Sequence, residues 1–519
     1  MNDPRTQPTQ LLGREPDLVV SPAVLARYNA RVLDPSMALQ VAGQPAPRPT
    51  VYLADRLLVS GTAEAITRDA LTEAARRNGL TIIPPLVDPA KTQQRAELAR
   101  RVGIAGPSPI DTIAVHLVTA GPAPAVAPDA WTVLQTYRAL IGREALGPQR
   151  QVALDHLITS TRHTHGTPVV PGAGGAPLDS YGLPGWGGRA PVAWVGAAPA
   201  RNPDFAGRRP VVAVLDTGVG KHPWFDGLSG LVTRNPDCHG APMGLQDAAT
   251  DPEVTGVITD PLEGVLDSDS GHGTFIAGLI HQGCPDANIL SVRVMPSDGA
   301  VPEHVLLEAL NLLALRQQLA QQPGGDPADI VDVVSLSLGY YHEQPEDVSF
   351  DPLLLQPLTT LAQLGVAVVA AAGNDATDRP MFPAAFTQYP GATAKDRAPI
   401  VSVGALNPDG TIALFSNGGQ WVSCFRTGAS VVSTFPTTFD GSAQAAFRLH
   451  ANDGWRSSID PDSFAGGFGT WSGTSFAAPV LAAELAASIA AAGCEAVDPA
   501  SMVGRGWAAV THATKLSPS

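Results

Sequence analysis

The sequence predicts an α/β protein in which a mainly parallel sheet is flanked by helices. Residues 211–215 form an apolar, β-branched run, which is typical of a strand buried on both faces of such a sheet. Residues 332–338 and 366–372 have the same character, and residues 476–491 are rich in alanine, as in a buried helix. We therefore expect a functional site where these strands end, because open α/β folds place their sites at the carboxyl edge of the sheet.

The first third of the chain has a different pattern, in which short strands and amphipathic helices alternate. The predicted elements are, in order, a strand at 50–59, a helix at 63–77, a strand at 80–83, a helix at 90–102, a strand at 112–119 and a helix at 128–141. This alternation predicts a second, smaller domain of α/β or α+β type over residues 47–147. An N-terminal extension, residues 1–46, precedes it.

A segment rich in glycine and proline follows the smaller domain. We assign residues 148–209 to a linker, because such a composition is typical of extended, exposed chain that proteases cut easily. The larger domain then covers residues 210–495, and residues 496–519 form a C-terminal tail. Three histidines near the start of the linker have no carboxylate partner in sequence, so we interpret them as part of a solvated loop.

Three polar side chains lie where the local sequence suits catalysis. Asp216 ends an apolar strand, and His272 lies between two glycines at the start of an apolar helix. Ser475 follows a Gly-Thr turn and opens the alanine-rich segment. The N-terminus of a helix favours developing negative charge there, because its backbone N–H groups and the positive end of its dipole point outwards.

Four short blocks resemble those of the subtilisin-like serine peptidases, the subtilases. They are Val-Ala-Val-Leu-Asp-Thr-Gly at 212–218, Gly-His-Gly-Thr at 271–274, Ala-Ala-Gly-Asn at 371–374 and Gly-Thr-Ser-Phe-Ala-Ala-Pro at 473–479. Each block alone is weak evidence, but all four in one order are specific. The order Asp, His, Ser is also that of subtilisin. The resemblance covers about residues 210–492 and implies a three-layer core whose mainly parallel sheet has about seven strands.

The resemblance implies a serine endopeptidase that hydrolyses peptide bonds through an acyl-enzyme and needs no cofactor. Ser475 would be the nucleophile, His272 the general base and Asp216 the carboxylate that orients the imidazole. The side-chain amide of Asn374 and the backbone N–H of Ser475 would form the oxyanion hole. The residues implied in substrate binding are Ser337, Leu338, Gly339, Tyr340, Ala372 and Gly373.

Other interpretations of these residues stay open. Asp216-Thr217-Gly218 and Gly373-Asn374 are also ordinary turns at strand ends, and His272 would fit a purely structural role. The same triad would serve an esterase or a peptide ligase, and a protein without turnover would be a substrate-binding scaffold. The smaller domain is either a prodomain, which would act as an intramolecular inhibitor in a latent zymogen, or a permanent accessory domain.

Composition limits the partners and the compartment. The formal net charge of −15 over 519 residues argues against non-specific nucleic-acid binding, so we expect a protein or peptide substrate. Residues 1–8 are polar, and no run reaches the roughly 18 apolar residues of a membrane span, so we expect a cytoplasmic protein or one exported by a non-standard route. Abundant Ala, Gly, Pro and Arg indicate a bacterial coding bias. The four cysteines favour buried free thiols over disulfides.

Three features depart from the resemblance. Tyr340 stands where many subtilases have a second glycine, and acidic residues near it, such as Glu343, either favour basic substrates or, as we expect, form a solvated loop. Residues 435–468 form a polar insertion near the cleft, which is either a lid or exosite or an inert decoration. The helix after His272 has no room for the calcium loop found there in many subtilases, and we assign no metal ligand.

Overall fold

The described part of the chain covers most of both predicted domains. The computed structural model describes residues 14–16, 18–84, 89–104, 112–121, 127–142, 151–160, 188–344 and 353–518. Residues 161–187, the most glycine-rich part of the predicted linker, lie outside the described residues. The same holds for residues 1–13 of the predicted extension.

The smaller unit is an antiparallel sheet with helices packed against it, and is therefore of the α+β type. Its strands are β1 (Ala30–Val32), β2 (Val51–Ser60), β3 (Leu80–Ile83), β4 (Thr112–Thr119) and β5 (Val152–Ser160). Its helices are α1 (Pro22–Arg27), α2 (Ala65–Arg77), α3 (Pro89–Arg101) and α4 (Ala130–Ile141). The strand order is β5-β2-β4-β3, with β1 paired to β2. Helices α2 and α4 pack on each other and bury Leu71 and Trp131 in a core with Leu57.

The sheet of this unit continues past residue 147, where we placed the end of the smaller domain. Strand β5 pairs with β2 in an antiparallel register, for example Leu58 with Ala153. All of its residues from Val152 to Ile158 are buried, so this strand lies inside the molecule. The composition of the following glycine-rich segment led us to include it in the linker.

The larger unit contains a parallel sheet of seven strands, as predicted. The strands are β7 (Val211–Asp216), β8 (Val232–Arg234), β11 (Asn288–Arg293), β13 (Val333–Leu336), β15 (Ala367–Ala371), β16 (Ile400–Leu406) and β17 (Cys424–Thr427). Their order is β17-β16-β15-β13-β7-β11-β8, and every neighbouring pair is parallel. The smaller strands of this unit are β6 (Ala190–Pro191), β9 (Asp237–Cys238), β10 (Ala241–Pro242), β12 (Ala300–Pro302), β14 (Leu338–Gly339), β18 (Val431–Thr434), β19 (Arg448–Ala451), β20 (Gly454–Ser457) and β21 (Phe468–Trp471).

Helices cover both faces of the parallel sheet. They are α5 (Pro223–Asp226), α6 (His272–Gly283), α7 (Glu303–Ala320), α8 (Leu355–Gln363), α9 (Thr474–Ala492) and α10 (Pro499–Thr514), with short 3₁₀ turns at Ala248–Thr250, Pro327–Asp329 and Ala384–Gln388. Helix α9 is the one described helix with the length and apolar character of a membrane span, but most of it is buried, and it packs on α6, α10 and the sheet. The structure therefore uses α9 as a core helix.

The alternation of side chains along β7 shows how the two layers are built. Val212 and Val214 belong to the core cluster that includes α6 and α9, whereas Ala213 and Leu215 belong to the cluster on the α7 and α8 side. Successive side chains of a strand point to opposite faces, so a run that is buried on both faces must be apolar throughout. This is the physical reason for the continuous apolar runs in the sequence.

One strand joins the two units. The end of β5 lies between two short strands of the larger unit, β12 and β14, and pairs with both in antiparallel registers. Ser160 pairs with Leu338, and Ile158 pairs with Val301. The two units therefore share a sheet, in which the backbone of the smaller unit supplies the middle strand.

Candidate active site

The predicted site residues lie at the carboxyl edge of the parallel sheet. Asp216 is the last residue of β7, Ser337 directly follows β13, and Asn374 lies three residues after β15. From β7 the chain places β11 on one side and β13 on the other, so the strand order reverses at β7. Such a switch point leaves a crevice at the carboxyl ends of the strands, which is where the three residues meet.

Asp216 and His272 form a short hydrogen bond at this edge. His272 Nδ1 and Asp216 Oδ1 are 2.7 Å apart, and both side chains are buried. The two chain segments approach backbone to backbone, because a Cβ on Gly273 would lie 2.1 Å from the carbonyl oxygen of Gly218. Only glycine at position 273 permits this contact, which explains why a glycine follows the histidine.

Glu253 is a further buried carboxyl beside this pair, and sequence reasoning missed it. It accepts hydrogen bonds from the hydroxyls of Thr217 and Thr274, and its Oε1 also accepts from the backbone N–H of Gly271 at 3.1 Å. Burial raises the pKa of Glu253 to about 8, although the two threonine hydrogen bonds act in the opposite direction. The carboxyl therefore holds together the segments that carry Asp216 and His272.

Ser475 lies in the first turn of α9, as predicted, and is fully buried. The residue four positions later is Pro479, which has no N–H to donate to the Ser475 carbonyl. The hydroxyl of Ser337 donates to this carbonyl at 2.8 Å instead, and the Ser475 hydroxyl lies 3.4 Å from the carbonyl oxygen of Ser337. The start of α9 is thus attached to the segment that leads into β14.

The imidazole of His272 lies against the aromatic side chains around Ser475. Its ring centroid is 5.3 Å from that of Phe476, the residue after Ser475, and 5.6 Å from that of Trp471. Helices α6 and α9 also pack on each other along this contact. The structure therefore brings His272, with its carboxylate partner, to the same helix turn as Ser475.

Asn374 is oriented by the residue that precedes Ser475. Its Oδ1 accepts hydrogen bonds from the backbone N–H and the hydroxyl of Thr474, both at 2.9 Å. The Thr474 hydroxyl also accepts from the backbone N–H of Gly373 at 3.0 Å. Because the amide oxygen accepts both hydrogen bonds from Thr474, the amide nitrogen of Asn374 points away from Thr474.

The predicted substrate-binding residues border the shared sheet. Leu338 and Gly339 form β14 and pair with Ser160 and Thr159 of the smaller unit. Ala372 and Gly373 connect β15 to Asn374, and the Ala372 carbonyl accepts from the side chain of Asn417 at 2.8 Å. The segment where a bound peptide was expected is therefore paired with chain from the smaller unit.

Tyr340 and Glu343 lie in a buried contact between the two units. The Tyr340 ring stacks on His156 of β5 with centroids 4.4 Å apart. His156 Nδ1 lies 2.7 Å from Glu303 Oε2, and its Nε2 lies 2.9 Å from Glu343 Oε2. Arg138 of α4 completes the group, 3.5 Å from Glu343. Our expectation of a solvated acidic loop is wrong for Glu343, because this carboxylate neutralises buried cations of the smaller unit.

The four cysteines carry free thiols, the alternative that the sequence favoured. Cys238, Cys284 and Cys494 are buried, and Cys424 is half-buried. Burial raises the pKa of the Cys238 thiol to about 12, so this group is a neutral part of the core.

This arrangement, a parallel sheet with a carboxylate, an imidazole and a serine at its carboxyl edge, defines a class of serine hydrolases. The chain belongs to the Subtilase family, whose family model matches residues 207–500.

Three curated proteins illustrate the similarity. The chain is 27% identical over 266 residues to the intracellular serine protease of Paenibacillus polymyxa, covering 48% of this chain and 66% of that protein. It is 26% identical over 308 residues to the serine protease AprX of Bacillus subtilis, covering 54% and 56%. The match to the minor extracellular protease Epr of the same organism is 27% over 191 residues and covers 34% and 25%. The chain thus spans between a quarter and two thirds of the length of these relatives.

Solved structures are similar at lower identity. Fervidolysin from Fervidobacterium pennivorans, a keratinolytic enzyme related to subtilisin, is 18% identical with a TM-score of 0.42, over 87% of this chain and 56% of that one. A cold-adapted subtilisin-like serine proteinase is 22% identical with a TM-score of 0.32, over 58% and 82%.

Proposed function

We propose that the protein is a serine endopeptidase in which Ser475, His272 and Asp216 form the catalytic triad. The observation that carries the proposal is the 2.7 Å contact between His272 Nδ1 and Asp216 Oδ1, beside the helix turn that holds Ser475. A carboxylate bound to Nδ1 fixes the imidazole tautomer and leaves Nε2 as the basic nitrogen. The buried setting of all three side chains strengthens each of these electrostatic contacts.

In this mechanism His272 Nε2 takes the proton of the Ser475 hydroxyl as the oxygen attacks the peptide carbonyl. The imidazolium is stabilised by Asp216 and then gives the proton to the leaving amine, which produces the acyl-enzyme. Water, activated by the same imidazole, attacks the acyl group and releases the second product. Glu253 acts through the two threonines and holds the Asp216 and His272 segments in position.

The oxyanion would be bound by Asn374 Nδ2 and the backbone N–H of Ser475. Two observations support this role: Thr474 holds the amide oxygen of Asn374, and the Ser475 N–H belongs to the first turn of α9, at the positive end of the helix dipole. A peptide substrate would bind as an extended strand beside Leu338 and Gly339, by β-augmentation.

The smaller unit would keep the peptidase latent. Residues 157–160 pair with β12 and β14, which are the strands that an extended substrate would need, and the Ser160 N–H donates to the carbonyl of Gly299 at 2.9 Å. A substrate cannot use the same backbone groups while β5 occupies them. We therefore favour a prodomain over a permanent accessory domain, with self-cleavage in the segment that follows Ser160.

A fluorophosphonate probe tests the nucleophile. The probe should label the wild-type protein, either directly or after limited proteolysis of the linker, and should not label Ser475→Ala. The exposed Ser229 supplies a matched control, and Ser229→Ala should be labelled as the wild type is. Folded protein that stays unlabelled in every form would instead indicate the substrate-binding scaffold.

Mass spectrometry of the intact chain tests latency. Wild-type protein should yield a fragment that ends after residue 160 and before residue 210, whereas Ser475→Ala should remain intact. A wild-type protein that cleaves added peptides while its own chain stays whole would show that the smaller unit is a permanent domain. Hydrolysis of esters without hydrolysis of peptides would favour the esterase alternative.

A further inference from the structure

The insertion between β18 and β21 carries three carboxylates that converge. Asp440, Asp460 and Asp462 each offer an oxygen, and these oxygens all lie within 4.8 Å of one another. Sequence analysis assigned no metal ligand in this region and treated it only as a polar insertion. Among the described residues, no Arg, Lys or His forms an ion pair with any of the three.

Backbone contacts hold the two segments that carry these residues. Asp440 and Ser463 form an isolated antiparallel bridge, and the Phe464 N–H donates to the carbonyl of Phe439 at 2.8 Å. Both phenylalanine side chains are buried in the core cluster that includes α6 and α9. The carboxylates are therefore placed by packed structure, although they belong to an insertion.

Asp462 is the central member of the cluster and is only 2% exposed. Its Oδ2 accepts from the backbone N–H of Ala443 at 3.0 Å, whereas its Oδ1 has no hydrogen-bond partner among the described residues. A Cβ on Gly441 would lie 2.1 Å from Asp462 Oδ2, so glycine makes the room that this carboxylate occupies. A buried carboxylate oxygen without a donor is costly unless a cation or a proton binds it.

The electrostatics of the cluster point the same way. Asp462 is buried, and the oxygens of Asp460 and Asp440 lie within 4.8 Å of its carboxylate oxygen. Like charges at such distances repel when all three groups are ionised. A divalent cation would remove this repulsion and would supply the missing partner of Oδ1.

We propose that Asp440, Asp460 and Asp462 form a binding site for a calcium ion. Calcium prefers carboxylate and carbonyl oxygens at about 2.3–2.6 Å, so oxygens on opposite sides of one ion lie up to about 5.2 Å apart. The observed limit of 4.8 Å lies within this span, so one ion can reach all three carboxylates. Calcium is favoured over magnesium because it tolerates the irregular geometry of ligands from two loop segments.

The site would fasten the insertion to the segment that leads to His272. The Ser442 N–H donates to the carbonyl of Gly264 at 2.9 Å, and Leu266 packs in the same cluster as Phe439. Arg189 binds the carbonyls of Leu266 and Ser270, directly before the Gly-His-Gly-Thr block. Calcium binding would therefore stabilise the wall of the cleft on the side of His272. This inference does not depend on the proposed peptidase activity.

Isothermal titration calorimetry with CaCl₂ tests the site, on full-length Ser475→Ala protein that has been treated with a chelator and dialysed. The double variant Asp440→Asn/Asp460→Asn should bind one calcium equivalent fewer, or bind it at least about tenfold more weakly. Both residues lie outside the core, so the variant should fold, which circular dichroism checks. Asp453→Asn is the matched control, since Asp453 is exposed in the same insertion and pairs with Arg456.

Thermal unfolding provides a second measurement, and three results would overturn the inference. Calcium should raise the Tm of the parent protein and of Asp453→Asn but raise it less in the double variant. A parent protein that binds no calcium would overturn the inference. So would a double variant that keeps all of the equivalents and the affinity of the parent, or a site that binds MgCl₂ but not CaCl₂.

Discussion

Raising the pH from 6.5 to 9 should weaken the protein through one buried histidine. His156 is fully buried between Glu303 and Glu343, with Arg138 and His342 as the other charged or titratable groups that face it. Burial alone lowers the pKa of an imidazole, but the two carboxylates outweigh this effect and raise the pKa of His156 from its ordinary value of 6.5 to about 9. Between pH 6.5 and about 9, His156 of the folded protein therefore holds a proton that the unfolded chain has released.

The size of the effect follows from the shift. A group whose pKa is raised by folding contributes its full stability below the unfolded pKa and loses it as the pH rises through the folded pKa. A shift from 6.5 to about 9 corresponds to about 3 kcal/mol, which would disappear between these pH values. Because His156 lies on β5 and both carboxylates lie on the larger unit, this free energy belongs to the contact between the units.

Urea unfolding of full-length Ser475→Ala protein, at several pH values from 6 to 9.5, measures this loss. The background substitution prevents self-digestion. His156→Gln should be less stable at pH 6 by about 3–5 kcal/mol, because two buried carboxylates lose a cationic partner, but it should depend less on pH from 6.5 to 9. The exposed His512 supplies the control, and His512→Gln should follow the parent curve. Parallel pH curves for the parent and His156→Gln would refute the reasoning.

Three further predictions concern the proposed active site. Asn374→Ala should lower kcat by roughly a hundred- to a thousandfold with little change in KM, the range known for loss of one such donor in subtilisin, as steady-state kinetics with a peptide substrate would show. Glu253→Gln should become more stable relative to the parent as the pH rises from 4.5 to 8. Burial raises the pKa of Glu253 to about 8, so ionisation of this carboxyl costs the folded parent protein roughly 3–5 kcal/mol. Thermal unfolding of both proteins at pH 4.5 and pH 8 measures the difference in stability. Gly273→Ala should lower the Tm and abolish activity, because its Cβ would lie 2.1 Å from the Gly218 carbonyl oxygen.

Each of these predictions has an outcome that contradicts it. Unchanged kcat in Asn374→Ala would remove Asn374 from the oxyanion hole. An equal Tm difference between Glu253→Gln and the parent at pH 4.5 and pH 8 would contradict the raised pKa of the Glu253 carboxyl. A Gly273→Ala protein with the parent Tm would mean that the two backbones separate without cost. Gly466→Ala is the control for loss of a glycine, since Gly466 is exposed and nothing lies within 4 Å of a Cβ built there.

The sequence predicted the parallel sheet well, because the sheet depends on local patterns. Buried parallel strands must be apolar throughout, and the strand Val211–Asp216 ends at the edge where its carboxylate meets His272. The Gly-His-Gly-Thr block requires glycine at position 273, because the backbones of residues 273 and 218 are in close contact. Each of these constraints selects particular residue types in a short run of the chain, so it is visible in the sequence.

What the sequence did not reveal depends on contacts between distant segments. Glu253 lies in a loop without a motif, and only folding brings it to Thr217 and Thr274. The pairing of β5 with β14 joins residues that are far apart in the chain, and the burial of Glu343 follows from the same contact.

The proline in α9 also has a mechanical consequence. Because Pro479 leaves the carbonyl of Ser475 to the hydroxyl of Ser337, the first turn of α9 is anchored one residue before the strand Leu338–Gly339. A chain that moves Leu338–Gly339 would therefore also move Ser475. In the proposed peptidase, a single hydroxyl group would thus link the binding of a peptide at this strand to the position of the Ser475 oxygen.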